Sequence, residues 1–161
     1  MLNFGCIESD IFVGNAPQSS VDVARLGQMK VTSVLSLQSD DDFRSHGIDW
    51  KKIQSAYLYN NIDVHRFPIR DFDEADLGNR LAEPVKMLDR LLTSGKRVYV
   101  HCNAGVCRAP ATTLTYLCHY RGMTIEQGLD YIRRNRPQAN PYISAVEKTL
   151  FELAGDRPEL I

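Results

Sequence analysis

The sequence predicts a three-layer α/β domain, a central mostly parallel sheet flanked by helices. Three observations predict it. Runs rich in Val, Ile and Leu at residues 11–14, 31–37, 64–67 and 97–101 are short enough for buried strands. Stretches of helical periodicity separate them, and strand–helix alternation calls for parallel crossovers. At 161 residues and 43% hydrophobic, with seven scattered prolines, the chain is long and apolar enough to bury a core without staples.

Each element has its own local reason. Ile11-Phe12-Val13-Gly14 reads as a strand ended by a turn at Asn15-Ala16-Pro17. Ser19 caps a helix with Asp22 three residues on, and Val23, Leu26 and Met29 share one face. Residues 31–37 alternate as a buried strand. Residues 38–49 are polar and contain Asp40-Asp41-Asp42, which predicts a surface loop. Residues 51–59 suit a helix, and 64–67 a strand closed by Pro68.

Leu77, Leu81, Val85, Leu88, Leu91 and Leu92 recur at helical spacing. Pro84 breaks or kinks that pattern unless a second helix begins there. Gly95 stops it, and 97–101 is the next strand. A helix over 109–121 ends at Gly122. Thr124 and Gln127 make a capping box for a helix to about 134, and 141–153 is the last helix. The expectation is one domain over 1–161, its core about 10–153.

A net charge of −1 argues against general nucleic-acid binding, so any anion recognition must be local. The basic runs Arg133-Arg134-Asn135-Arg136 and Lys51-Lys52 read as solvated helix faces. Cys6, Cys102, Cys107 and Cys118 form no disulfide framework, which points to a reducing compartment. No apolar run is long enough to cross a bilayer, and no signal peptide stands at the N-terminus. The expectation is a cytoplasmic monomer without membrane or nucleic-acid partners, or a plastid protein if a transit peptide has been removed.

The chemistry concentrates in Val98-Tyr99-Val100-His101-Cys102-Asn103-Ala104-Gly105-Val106-Cys107-Arg108. A strand ends in a cysteine, five residues form a loop, and an arginine opens a helix. Backbone amides from Asn103, Ala104, Gly105, Val106, Cys107 and Arg108, with the helix dipole, favour a phosphate dianion. The Arg108 guanidinium adds a planar fork of donors. The same fields favour the Cys102 thiolate, the reading of a phosphatase nucleophile. No cofactor is implied. A zinc site from His101, Cys102, Cys107 and His119 lacks a second short-spaced ligand pair, and Arg108 would repel the cation.

A leaving alkoxide needs a proton. Asp71 lies just past a strand end in Phe67-Pro68-Ile69-Arg70-Asp71-Phe72-Asp73; Asp73 and Asp76 are rivals, and all three also suit loop or helix-start positions. His101 alternates away from Cys102 and reads as a supporting or core residue. Cys118 reads as core.

His-Cys-x5-Arg, after an upstream Pro-x-x-Asp, resembles the dual-specificity branch of the cysteine-based protein tyrosine phosphatase superfamily. The chain is most similar there to the glucan phosphatases, the plant starch phosphatases and laforin. Four segments carry the resemblance: Val13-Gly14-Asn15-Ala16-Pro17-Gln18, Val34-Leu35-Ser36-Leu37-Gln38-Ser39-Asp40, Arg70-Asp71-Phe72-Asp73 with Leu77 and Arg80-Leu81, and Cys102 to Ala111. It implies a dual-specificity phosphatase-like fold with Cys102 as nucleophile, Arg108 as phosphate clamp, Asp71 as general acid and Phe72 as an aromatic glucan contact. The implied substrate is a phosphorylated glucan, with phosphoprotein as the alternative and a weakly active phosphate- or glucan-binding scaffold as a third reading.

Ser45 and His46 stand where the plant enzymes carry an aromatic pair, which leaves Trp50 and Phe43 to supply the sugar platform. No carbohydrate-binding module is present in these residues. Asn103 and Val106 replace the lysines of phosphoinositide-directed members. Ala109 replaces the usual Ser or Thr, which implies slower phosphoenzyme breakdown. Cys107 replaces the usual glycine, either as a tolerated small residue or as a partner that traps oxidised Cys102.

Overall fold

The computed structural model describes residues 1–156. In chain order the elements are β1 (Phe4–Glu8), β2 (Ile11–Gly14), α1 (Ser20–Gln28), β3 (Ser33–Ser36), α2 (Asp40–Ser45), α3 (Trp50–Tyr59), β4 (Asp63–Arg66), α4 (Glu74–Arg80), α5 (Ala82–Thr93), β5 (Val98–His101), α6 (Arg108–Arg121), α7 (Ile125–Arg133) and α8 (Ile143–Gly155). The sheet order is β1-β2-β5-β3-β4. Four strands run parallel, and β1 is antiparallel to β2.

Alternation along the strands sorts side chains into two apolar layers. Ile11, Val13, Leu35, Val98 and Val100 pack with residues of α4, α5, α6 and α8. Phe12, Val34 and Tyr99 face the opposite layer with Val23 and Leu26 of α1 and Ile53 and Tyr57 of α3. Because both faces are covered, β2, β3 and β5 are buried along their whole length.

The register places the site. His101 lies level with Gly14 of β2 and Ser36 of β3, and Ser36 with Arg66 of β4. The chain therefore leaves four adjacent strands along one carboxyl edge, the position where ligands meet open parallel sheets. The segments beginning at Asn15, Leu37, Phe67 and Cys102 converge there.

Local signals set most boundaries. Ser19 caps α1, and Thr124 closes a capping box on α7. Gly122, at φ 71°, ends α6 in the left-handed region that glycine enters without penalty. Pro84 falls in the first turn of α5, where its missing N–H costs nothing, so the leucine repeat splits into α4 and α5 at Leu81.

Two expectations need correction. Residues 40–45 are not a loop but helix α2, with a capping box in which the Ser39 side chain accepts from Asp42 N and the Asp42 carboxylate from Ser39 N. Asp42 and Phe43 are buried, because Asp42 finds a buried cation and Phe43 an aromatic neighbour. Before Ile11, where no strand was expected, β1 forms by pairing on β2 and buries Leu2 and Ile7.

Candidate active site

β5 delivers Cys102, buried, at the sheet edge, and α6 begins at Arg108. Between them five consecutive carbonyls are tied down on the outside of the loop. His101 Nδ1 lies 2.9 Å from Cys102 O. Ala16 N donates to Asn103 O at 2.9 Å and Asn140 N to Val106 O at 2.7 Å. Arg136 holds the middle pair, Nη2 to Ala104 O at 2.8 Å and Nε to Gly105 O at 2.9 Å. Among the described residues no peptide is cis. A trans peptide sets its N–H opposite its C=O, so the amides of residues 103–107 turn to the other side. The result is a concave ring of main-chain donors, an anion-binding nest.

Gly105 is required here. Its φ is +69°, and a Cβ would stand 2.5 Å from the Gly14 carbonyl and 2.8 Å from Arg136 Nη2. His101 is buried on the opposite face from Cys102, its ring near Tyr99. Burial pushes its pKa down to about 4; the bond to Cys102 O opposes that, and the Arg108 charge adds to it. It is a neutral imidazole whose Nδ1 carries the proton, since a carbonyl can only accept.

Arg108 is 2% exposed, and its hydrogen bonds all come from Nη1. Its Nη1 donates to Asp42 Oδ2 at 2.6 Å and Ile69 O at 2.8 Å. Its Nε and Nη2 have no hydrogen-bond acceptor, although Nη2 lies 3.3 Å from Asp71 Oδ1 in an ion pair. Buried donors without acceptors are costly, and this Nε/Nη2 edge is the fork that matches two oxygens of a phosphate.

Burial raises the pKa of Asp42, but bonds from Arg108, Ser39 N and Asn103 outweigh it and hold the carboxyl below the usual carboxylate range. Asp42 is thus a fixed anion that orients the cation.

The three rival carboxylates separate clearly. Asp73 caps α4 by accepting from Asp76 N. Asp76 accepts from Arg70 N and from Arg80 Nε, each at 2.8 Å. Asp71 alone of the three meets the loop, through Arg108 Nη2 and through Asn103 Nδ2 at 3.1 Å. A carboxyl held at the two ends of such a loop, against Asn103 and Arg108, is of a type that can hand a proton to a leaving group.

A family model for the dual specificity phosphatase catalytic domain matches residues 11–152. The chain belongs to this family. This dual specificity phosphatase domain is 32% identical over 163 residues to phosphoglucan phosphatase DSP4, amyloplastic, of Castanea sativa, covering 99% of this chain and 43% of that protein. It is 32% identical over 116 residues to phosphoglucan phosphatase LSF1, chloroplastic, of Arabidopsis thaliana, covering 72% of this chain and 20% of that one. The chain therefore spans less than half the length of these curated relatives. Among solved structures, Tk-PTP in its active form superposes with a TM-score of 0.76 at 21% identity, covering 96% of this chain and 97% of that one.

In the phosphatase domain Phe72 stands beside Asp71, 88% exposed and at φ 55°. A bulky residue in that region is strained, and such strain collects at functional sites. Trp50 is different. It is half-buried, stacked on Phe43 with centroids 5.1 Å apart, and the Arg66 guanidinium lies over both rings. The structure gives the Trp50 ring a packing partner.

Sequence reasoning missed Asp42, Gln38 and Arg136. The capping pattern Ser39-x-x-Asp42 was a readable sign that a helix begins inside the stretch 38–49. Arg136 had no sign at all: within Arg133-Arg134-Asn135-Arg136 it looked solvated, yet it is 2% exposed. Among the described residues no helix is long and apolar enough to cross a membrane.

Proposed function

We propose that this domain hydrolyses phosphate monoesters on glucan chains through a phosphocysteine at Cys102. The observation that carries the chemistry is the run of loop amides beside Arg108, whose buried Nε and Nη2 lack a hydrogen-bond acceptor. In this reading the phosphoryl oxygens occupy the ring and the guanidinium fork, which stabilise the charge spread over them in the transition state. The Cys102 sulfur attacks phosphorus as the P–O bond to the sugar breaks, and Asp71 protonates the leaving oxygen. Asp71 then takes a proton from water as that water's oxygen attacks phosphorus. The S–P bond breaks, and inorganic phosphate and the thiolate return.

The glucan assignment rests on the two phosphoglucan phosphatase relatives and on Phe72, an exposed ring at the lip of the site suited to a sugar face. Four free cysteines suit a reducing compartment, and the amyloplastic and chloroplastic relatives favour a plastid. Phosphoprotein is the competing substrate, favoured by one observation: Ser45 and His46 offer no aromatic platform, and Trp50 is engaged with Phe43.

Phosphate release from solubilised amylopectin, compared with a phosphopeptide panel, separates the two substrates. A much higher rate on peptides ends the glucan reading. Hydrolysis of an aryl phosphate that survives Cys102→Ser ends the phosphocysteine reading, and no hydrolysis by the unaltered chain leaves the scaffold.

A further inference from the structure

The phosphate ring uses only the main chain of Asn103. We infer that the Asn103 side chain is a positioning residue that fastens the general acid over the phosphate ring, an inference that rests on the reading of Asp71 as that acid.

Both amide donors and the amide oxygen are engaged. Its Oδ1 accepts from Gln38 Nε2 at 2.8 Å. Its Nδ2 donates to Asp42 Oδ1 at 2.8 Å and to Asp71 Oδ2 at 3.1 Å. The opposite amide orientation would set an oxygen against two carboxylates, so the orientation is fixed by chemistry. Two of the three anchors are themselves held. Gln38 is 2% exposed and gives its carbonyl to Arg66; Asp42 is pinned by Arg108 and by Ser39 N.

Asp71 has only light attachments by comparison. It sits on the segment joining β4 to α4, next to strained Phe72, and Oδ1 accepts from Phe72 N at 3.1 Å. Its links to the phosphate side are Arg108 Nη2 and Asn103 Nδ2. The first is the group a phosphate dianion must engage, so substrate competes with Asp71 for it. The Asn103 bond is untouched by that competition. It also survives the proton transfer, because Oδ2 accepts from a neutral amide whether the group is a carboxylate or a carboxylic acid protonated on Oδ1. Asn103 thereby leaves Oδ1, the oxygen on the Arg108 side, as the one that carries the proton. Losing this tether misplaces the acid, and misplacement on the ångström scale costs up to about a hundredfold.

The test compares Asn103→Ala, Asp71→Asn and the double variant on phenyl phosphate and 4-nitrophenyl phosphate, with inhibition by inorganic phosphate as the binding readout. Asn103→Ala should lower kcat/KM, which reports the P–O cleavage step and not phosphoenzyme breakdown, about tenfold more on phenyl phosphate than on the nitrophenyl ester, which needs little acid help. Phosphate inhibition should stay unchanged, and the double variant should be no slower than Asp71→Asn. Equal loss on both esters, weakened phosphate binding, or a further loss on top of Asp71→Asn overturns the inference. If Asp71→Asn itself slows both esters equally, the acid reading fails instead. Should Asn103→Ala fail to fold, Asn103→Ser, a shorter donor, must show the same leaving-group bias; equal loss on both esters there also overturns the inference.

Discussion

Replacing Arg136 with methionine keeps much of the side-chain volume and removes every donor. Three hydrogen bonds are then lost: those to Ala104 O and Gly105 O, and the 2.7 Å bond from Nη1 to Asn3 Oδ1, which keeps only its bond from Gln138 Nε2. Bonds from a charged donor contribute about 1.5–3 kcal/mol each. The lower figure applies here because water can reach part of the vacated site, which gives a loss of about 4–5 kcal/mol. For a domain of this size that is a fall in melting temperature of roughly 10–15 °C. The effect on binding has a separate origin. With their carbonyls released, the 104–105 and 105–106 peptides can turn, and the Gly105 and Val106 amides no longer face the ring. Losing one preorganised donor of this type costs about 10²–10³ in kcat. Circular-dichroism melting, calorimetric titration with inorganic phosphate and aryl phosphate turnover measure the three consequences. Arg136→Lys is the control: it keeps the charge but lacks the fork that reaches two carbonyls, so it should recover part of the melting temperature and not turnover. A melting temperature within about 2 °C of the parent, with phosphate affinity intact, would refute the idea that Arg136 sets the loop.

Four further outcomes are expected. Gly105→Ala should abolish phosphate binding and destabilise the fold, since its Cβ meets the Gly14 backbone at 2.5 Å; retained affinity by titration would contradict this. His101 is neutral when folded, with a pKa near 4 against about 6.5 unfolded. Between those values the unfolded chain binds a proton the folded one does not, so stability falls as pH drops through the window, by about 3 kcal/mol overall. Urea unfolding of His101→Gln from pH 7 to 4.5 should lose that slope, and parallel curves would count against it. Asp42→Asn leaves Arg108 without its buried counter-charge and should cost about 3–5 kcal/mol. The folded Asp42 pKa is depressed, so its stabilisation is present above about pH 4 and lost as pH falls further; the variant should flatten that acid limb in melting experiments. Phe72→Gly relieves a left-handed backbone and should leave stability within about 1 kcal/mol, while KM for phosphoglucan rises and aryl phosphate kinetics hold; an unchanged glucan KM removes Phe72 from the substrate site.

Much of the fold was readable because its signals are short-range. Ser19 and Thr124 cap helices through residues three positions away, and Gly122 ends α6 through its own dihedral. The β1 strand escaped because its five residues gain a reason to be extended only from β2. Asp42 was misread because a run of three aspartates looks solvated, and its charge is tolerable inside only because Arg108, 66 residues away, stands beside it.

Sequence alone determined the strand, the five-residue loop and the arginine that opens α6, because Cys102 and Arg108, the proposed nucleophile and clamp, are neighbours whose spacing is fixed by the chain. It also narrowed the acid to three carboxylates. Only the tertiary structure chose Asp71 as the one that meets the phosphate loop, and turned the loop amides inward through Arg136, 31 residues beyond Gly105. The physical reason is range. A cap or a turn is satisfied within a few residues, whereas a buried charge or a flipped peptide is stable only beside partners that folding brings from elsewhere.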